Sequence, residues 1–223
     1  MTQCSHTSWL SFHAGERLLF RQTSALSDIV ACLDAPAETW PSLVVLVDDA
    51  KGGTLIDHVL PRPSRRTTHE ERQGVSLQLD IDNPSRDRPV FIARSEIAKR
   101  SKLTPEPDRA LCHWHTVCEL PAASGDFVHD LHCQILYPFA DVVCLFASET
   151  GGFDRVVEHI EAWCKRARER PLTSRPRMLI IAAPDEERNP ADVQTDVLTR
   201  LQQRIGPLNE DLLLCITVFV NRR

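Results

Sequence analysis

At 223 residues, 42% of them hydrophobic and 26% charged, the chain is long enough to bury a core of its own without metal or disulfide staples. A formal net charge of −5 provides no general basic field for nucleic acid. No apolar run approaches the ~20 residues that span a bilayer, and the opening "MTQCSHTSWLSFHAGERLLF" lacks the basic head and unbroken apolar run of a signal peptide.

The first periodic segment is "GERLLFRQTSALSDIVACLD". Its Leu18, Leu19, Leu26, Ile29, Val30 and Leu33 recur at helical spacing and predict a leading helix. Residues 1–40 therefore read as an N-terminal helical extension ahead of an α/β domain over residues 41–223. "SLVVLV" (Ser42 to Val47) is a short β-branched run of the kind that forms a strand buried on both faces. After it come the glycine-containing turn "DDAKGGT", a short helix in "TLIDHVL" that stops before Pro61, and a polar loop to Gln73. From Val75 to Ala93, "GVSLQLDID", "NPSRDR" and "PVFIA" read as two strands joined by a turn. Residues 95–125 show no period and are expected to be irregular.

The second half is more regular. "DFVHDLHCQILYPFA" predicts a helix with Phe127, Leu131, Ile135 and Leu136 inward, and "DVVCLFA" (Asp141 to Ala147) predicts a buried strand. "GGFDRVVEHIEAWCKRARER" predicts a helix with Val156, Val157, Ile160, Trp163 and Cys164 inward. "RMLIIAA" predicts a further strand, "PADVQTDVLTRLQQRIG" an amphipathic helix begun by Pro190, and "LLLCITVFV" a last strand. Apolar strands alternating with helices argue for a three-layer α/β sandwich around a mostly parallel sheet of about six strands. Eight cysteines are scattered through the chain, several in apolar segments where the thiol acts as a small hydrophobe. Without a secretory signal they point to a reduced, cytoplasmic protein.

The turn after Val47 sits where nucleotide-binding folds place a phosphate loop, G-x-x-x-x-G-K-[ST], whose backbone N–H groups cradle phosphates while the Lys answers their charge and the hydroxyl binds magnesium. With Thr54 as the hydroxyl residue, Gly52 falls on the second glycine, Val47 on the first, and Gly53 on the lysine; Lys51 is two positions early. Asp48 and Asp49 would repel phosphate if they faced such a cradle.

In the order of its elements, over roughly Leu43 to Val220, the chain resembles a P-loop GTPase-like domain. The resemblance implies a second strand antiparallel to the third, GTP or GDP with magnesium as ligand, and a binding set of Lys51, Gly52, Gly53, Thr54 and Asp185. The family's D-x-x-G after the third strand is here Ala93, Arg94, Ser95 and Glu96, and of its [NT]-K-x-D only Asp185 remains, after "LIIAA". Phosphoryl transfer is almost wholly positioning and electrostatics, so these losses imply a pseudo-GTPase. Such a chain would be non-catalytic or weakly nucleotide-binding, a regulatory or interaction module of a larger intracellular protein. Its partners would be other proteins or downstream domains of the same polypeptide. The alternative is an active GTP-hydrolysing switch in which Lys51 stands in for the missing lysine.

A second resemblance rests on "LVVLVDDAKGGTLID", "RPVFIA", "CHWHTV" and "YPFADVVCLFASETGGFD", which look similar to the N-terminal region of fungal proteins carrying a patatin-like phospholipase domain downstream. Patatin-like hydrolysis needs a Ser in G-x-S-x-G, and that motif does not occur here. The resemblance implies a regulatory front end instead of the hydrolase.

"CHWHTVC" and "HDLHC" place Cys112, His115, Cys118, His132 and Cys133 close together in the chain, with the soft ligands zinc prefers but without paired C-x2-C spacing. A zinc-stabilised interaction domain is the reading this cluster would support. Packing cysteines and solvated or hydrogen-bonded histidines are the alternative. A Ser–His–Asp or Cys–His catalytic set has no local signature.

Overall fold

The computed structural model describes residues 8–14, 18–48, 74–80, 88–96, 115–120, 131–147, 150, 152–169, 176–182, 189–206 and 216–220. They form nine strands: β1 (Ser8–Ala14), β2 (Leu18–Gln22), β3 (Ser42–Asp48), β4 (Val75–Leu79), β5 (Val90–Glu96), β6 (His115–Leu120), β7 (Val142–Phe146), β8 (Arg177–Ala182) and β9 (Ile216–Val220). Three α-helices accompany them: α1 (Ala25–Ala31), α2 (Phe153–Glu169) and α3 (Pro190–Ile205). All nine strands belong to one mixed sheet, ordered β6-β2-β1-β4-β5-β3-β7-β8-β9.

The sheet changes character at its middle. From β5 through β3, β7 and β8 to β9 every pairing is parallel, whereas from β5 back through β4, β1 and β2 to β6 every pairing is antiparallel. The expected antiparallel pair is present, with Val75 opposite Ser95 and Leu79 opposite Phe91. The expectation of about six mostly parallel strands is corrected: four pairings are parallel and four antiparallel.

The extra strands come from two stretches read otherwise. Leu18 and Leu19, assigned to the leading helix, lie in β2, which makes a hairpin with β1; three intervening residues are too few for a parallel crossover. The helix starts later, at Ala25, and there the predicted face holds: Leu26, Ile29, Val30 and Leu33 pack on the core. The segment read as irregular contains β6, which closes the antiparallel edge by pairing with β2.

At Gly74, where β4 begins, the backbone has φ +142°, and a Cβ there would lie 2.1 Å from the Leu10 carbonyl oxygen. Only glycine allows β1 and β4 to approach this closely beside the bulge between Ser8 and Leu10.

Alternation along the central strands produces two apolar faces. Val45 and Val47 of β3 belong to the large core with Ala93, Val143, Leu145, Met178 and Ile180; Leu46 belongs to a smaller cluster with Ile92, Cys144 and Phe146. The inward residues expected of α2, Val156, Val157, Ile160, Trp163 and Cys164, are all buried in the large core. Helix α3 adds Val193, Val197 and Leu201. It begins as expected at Pro190, where the Asn189 side chain accepts a hydrogen bond from the Ala191 N–H, and ends at Gly206 with φ 80°.

The described helices all contribute to the large core. The helix expected in "TLIDHVL", which would supply a third layer, lies outside the described residues. No described helix is long and apolar enough to cross a membrane.

On the outer surface α2 and α3 are joined by ion pairs. Arg200 reaches Asp154 at 2.6 Å and Asp196 at 3.0 Å, and Arg204 faces Glu158 and Glu161.

Candidate functional site

Open α/β sheets bind ligands outside the carboxyl ends of their strands, where successive connections depart in opposite directions. In this sheet that place is between β3 and β7. The chain leaves β3 toward β4 and β5 on one side, while β7 leads to β8 and β9 on the other. In the sequence "DDAKGGT" begins at Asp48, the last residue of β3, at that point. Lys51, Gly52, Gly53 and Thr54 themselves lie outside the described residues, as does Asp185, which follows the end of β8. Asp48 and Ala182 are strand-end residues separated by β7 alone, a lateral distance of roughly 10 Å at two strand spacings.

The loop between β7 and α2 is described at Ala147, Thr150 and Gly152. It is pinned by main-chain bonds from Thr150 N to Phe146 O (2.8 Å) and from Gly152 N to Ala147 O (2.7 Å). Gly152 has φ 95°. Asp154, in the first turn of α2, pairs with Arg200.

Below the carboxyl end of β5 lies a group of polar side chains sealed from water. Ser95, level with Val47 of β3, has its hydroxyl 2.7 Å from His132 Nε2. Tyr137 OH is hydrogen-bonded to His159 Nε2 of α2. The two histidine rings meet edge-on with centroids 5.1 Å apart, Tyr137 stacks on His132 at 5.8 Å, and Trp163 closes the far side at 6.3 Å from Tyr137. All five residues are at most 1% exposed. Burial, and then the neighbouring Cys133, holds the Tyr137 phenol well above its ordinary pKa. It therefore stays protonated at neutral pH, and the direction of its hydrogen bond with His159 Nε2 follows the tautomer of His159.

A local irregularity builds this cluster. Residues His132–Leu136 form a single π-type turn, with the Tyr137 N–H donating to the His132 carbonyl, followed by a 3-10 turn over Tyr137–Phe139. The wide turn carries residue i+5 back over residue i, so Tyr137 sits on His132 and Leu136 buries with Leu131. Ile135, expected on the inner face of a regular helix, is 39% exposed as a result.

A Ser hydroxyl against a His nitrogen is the contact a base makes with a nucleophile. Here both are buried, so no substrate carbonyl reaches Ser95 Oγ in this state. The geometry serves to tie β5, the π turn and α2 together. It also bears on magnesium. The D-x-x-G segment falls inside β5, its first position is Ala93 with no side-chain oxygen, and Ser95 is engaged by His132. Among the side chains described at this position, none supplies a carboxylate.

The Cys and His residues weighed as zinc ligands are divided by the topology. His115 and Cys118 are in β6, while His132 is bonded to β5, four strand spacings or roughly 19 Å away across the sheet. One ion with ligand bonds of ~2.0–2.3 Å does not bridge such a gap. Cys112 lies outside the described residues, Cys133 is buried, and the described residues contain no group of three metal-binding side chains.

Sequence reasoning noted His132 only as a zinc candidate and did not single out Tyr137, Ser95 or His159. The partners are separated by 37 and 22 residues, and no local spacing reports them. No protein-family model matches the chain, and a search of curated proteins finds no match.

Proposed function

We propose that this chain is a regulatory or interaction module with the layout of a GTPase core, binding nucleotide weakly or not at all and lacking hydrolytic activity. The observation that carries the reading is the combination found at the carboxyl ends of β3 and β5. The glycine-containing segment follows in the sequence the end of β3, which lies at the switch point of the sheet, while the position that should hold magnesium is Ala93 and Ser95 is locked to His132. An antiparallel pair β4–β5, followed by β7, β8 and β9 added in chain order, supports the likeness in layout. Phosphoryl transfer without a magnesium carboxylate and a phosphate-loop lysine loses most of its electrostatic stabilisation.

A thermal-shift titration with GTP, GDP, ATP and ADP, with and without magnesium, tests the reading. A ligand at ~100 times its Kd stabilises by about 2.7 kcal/mol, a shift of roughly 5–10 °C for a domain of this size. We expect shifts under about 2 °C at millimolar nucleotide, where the linkage relation gives only a few tenths of a kcal/mol for a millimolar Kd. A magnesium-dependent shift of several degrees with guanine nucleotides alone would establish Gly52, Thr54 and Asp185 as a working site and overturn the weak-binding reading.

A further inference from the structure

We draw no further inference here: the strongest candidate, the surface patch of Trp40 and Phe139 at the amino ends of β3 and β7, carries nothing because the same edge bears Arg88 and Arg177 together with Glu38, Asp80 and Asp141, and nothing in the structure shows what covers it.

Discussion

Replacing Tyr137 by Phe removes one oxygen from the centre of the sealed cluster and leaves the ring in place. Tyr137 and His159 are 0% and 1% exposed, so His159 Nε2 would lose its hydroxyl partner in a site closed to water. Losing one partner of a buried hydrogen bond costs about 1–3 kcal/mol, and at ~2–4 °C per kcal/mol for a domain of this length a mid-range loss of about 2 kcal/mol lowers Tm by roughly 4–8 °C. Urea denaturation should show a lower midpoint with an unchanged m value. Because the two side chains act as a pair, Tyr137→Phe with His159→Leu should lose less than the sum of the singles, by about 1 kcal/mol.

The alkaline limb supplies a second readout. The folded phenol titrates above its ordinary value of 10.0, so above pH 10 the unfolded chain gives up this proton while the native state keeps it. The contribution is complete below pH 10 and falls as pH rises, by up to about 1.4 kcal/mol per unit. Stability of the Tyr137→Phe variant should decline less steeply over that window. A loss under about 0.5 kcal/mol, additive singles, or an unchanged alkaline slope would each refute the assignment of a coupled buried pair.

Gly74→Ala should be far more damaging than its size implies, because the new Cβ meets backbone at 2.1 Å. A loss of roughly 3 kcal/mol or more is expected by urea titration, against about 1–2 kcal/mol for Gly206→Ala, where φ is 80° but no atom lies within 4 Å. Equal losses would mean that β1 does not press on β4 at this position. Arg200→Ala should cost about 0.5–1 kcal/mol at low salt, since its bond to Asp154 joins α3 to α2 and its bond to Asp196 lies within α3, both at a half-exposed surface. The difference should vanish near 1 M NaCl, where the screening length is about 3 Å; persistence there would show that packing of the arginine stem outweighs its charge.

What the sequence determined by itself was the part of the fold whose cause is local. Unbroken β-branched runs identified β3, β7, β8 and β9, because a strand covered on both faces has no polar alternation. Helical spacing placed the buried face of α2 residue by residue, and Asn189, Pro190 and Gly206 mark the ends of α3 in the chain itself. The antiparallel pair β4–β5 was legible from two short runs around a turn.

Tertiary structure decided everything that depends on partners far along the chain. Leu18–Gln22 has apolar spacing compatible with a helix and becomes a strand because β1 and β6 satisfy its backbone on both sides. The turn at His132–Leu136 widens to a π type in the setting where His132 meets Ser95, Tyr137 meets His159 and Trp163 packs behind them, and no spacing rule reports such a meeting. The sheet order carries His115 and Cys118 away from His132, dividing a cluster that looked continuous in the sequence. It also brings Trp40 and Phe139, 99 positions apart by subtraction of their numbers, to adjacent strand starts. Periodicity records which side of an element is buried. Which elements become neighbours depends on long-range pairing, and the chemistry of this protein lies in those pairings.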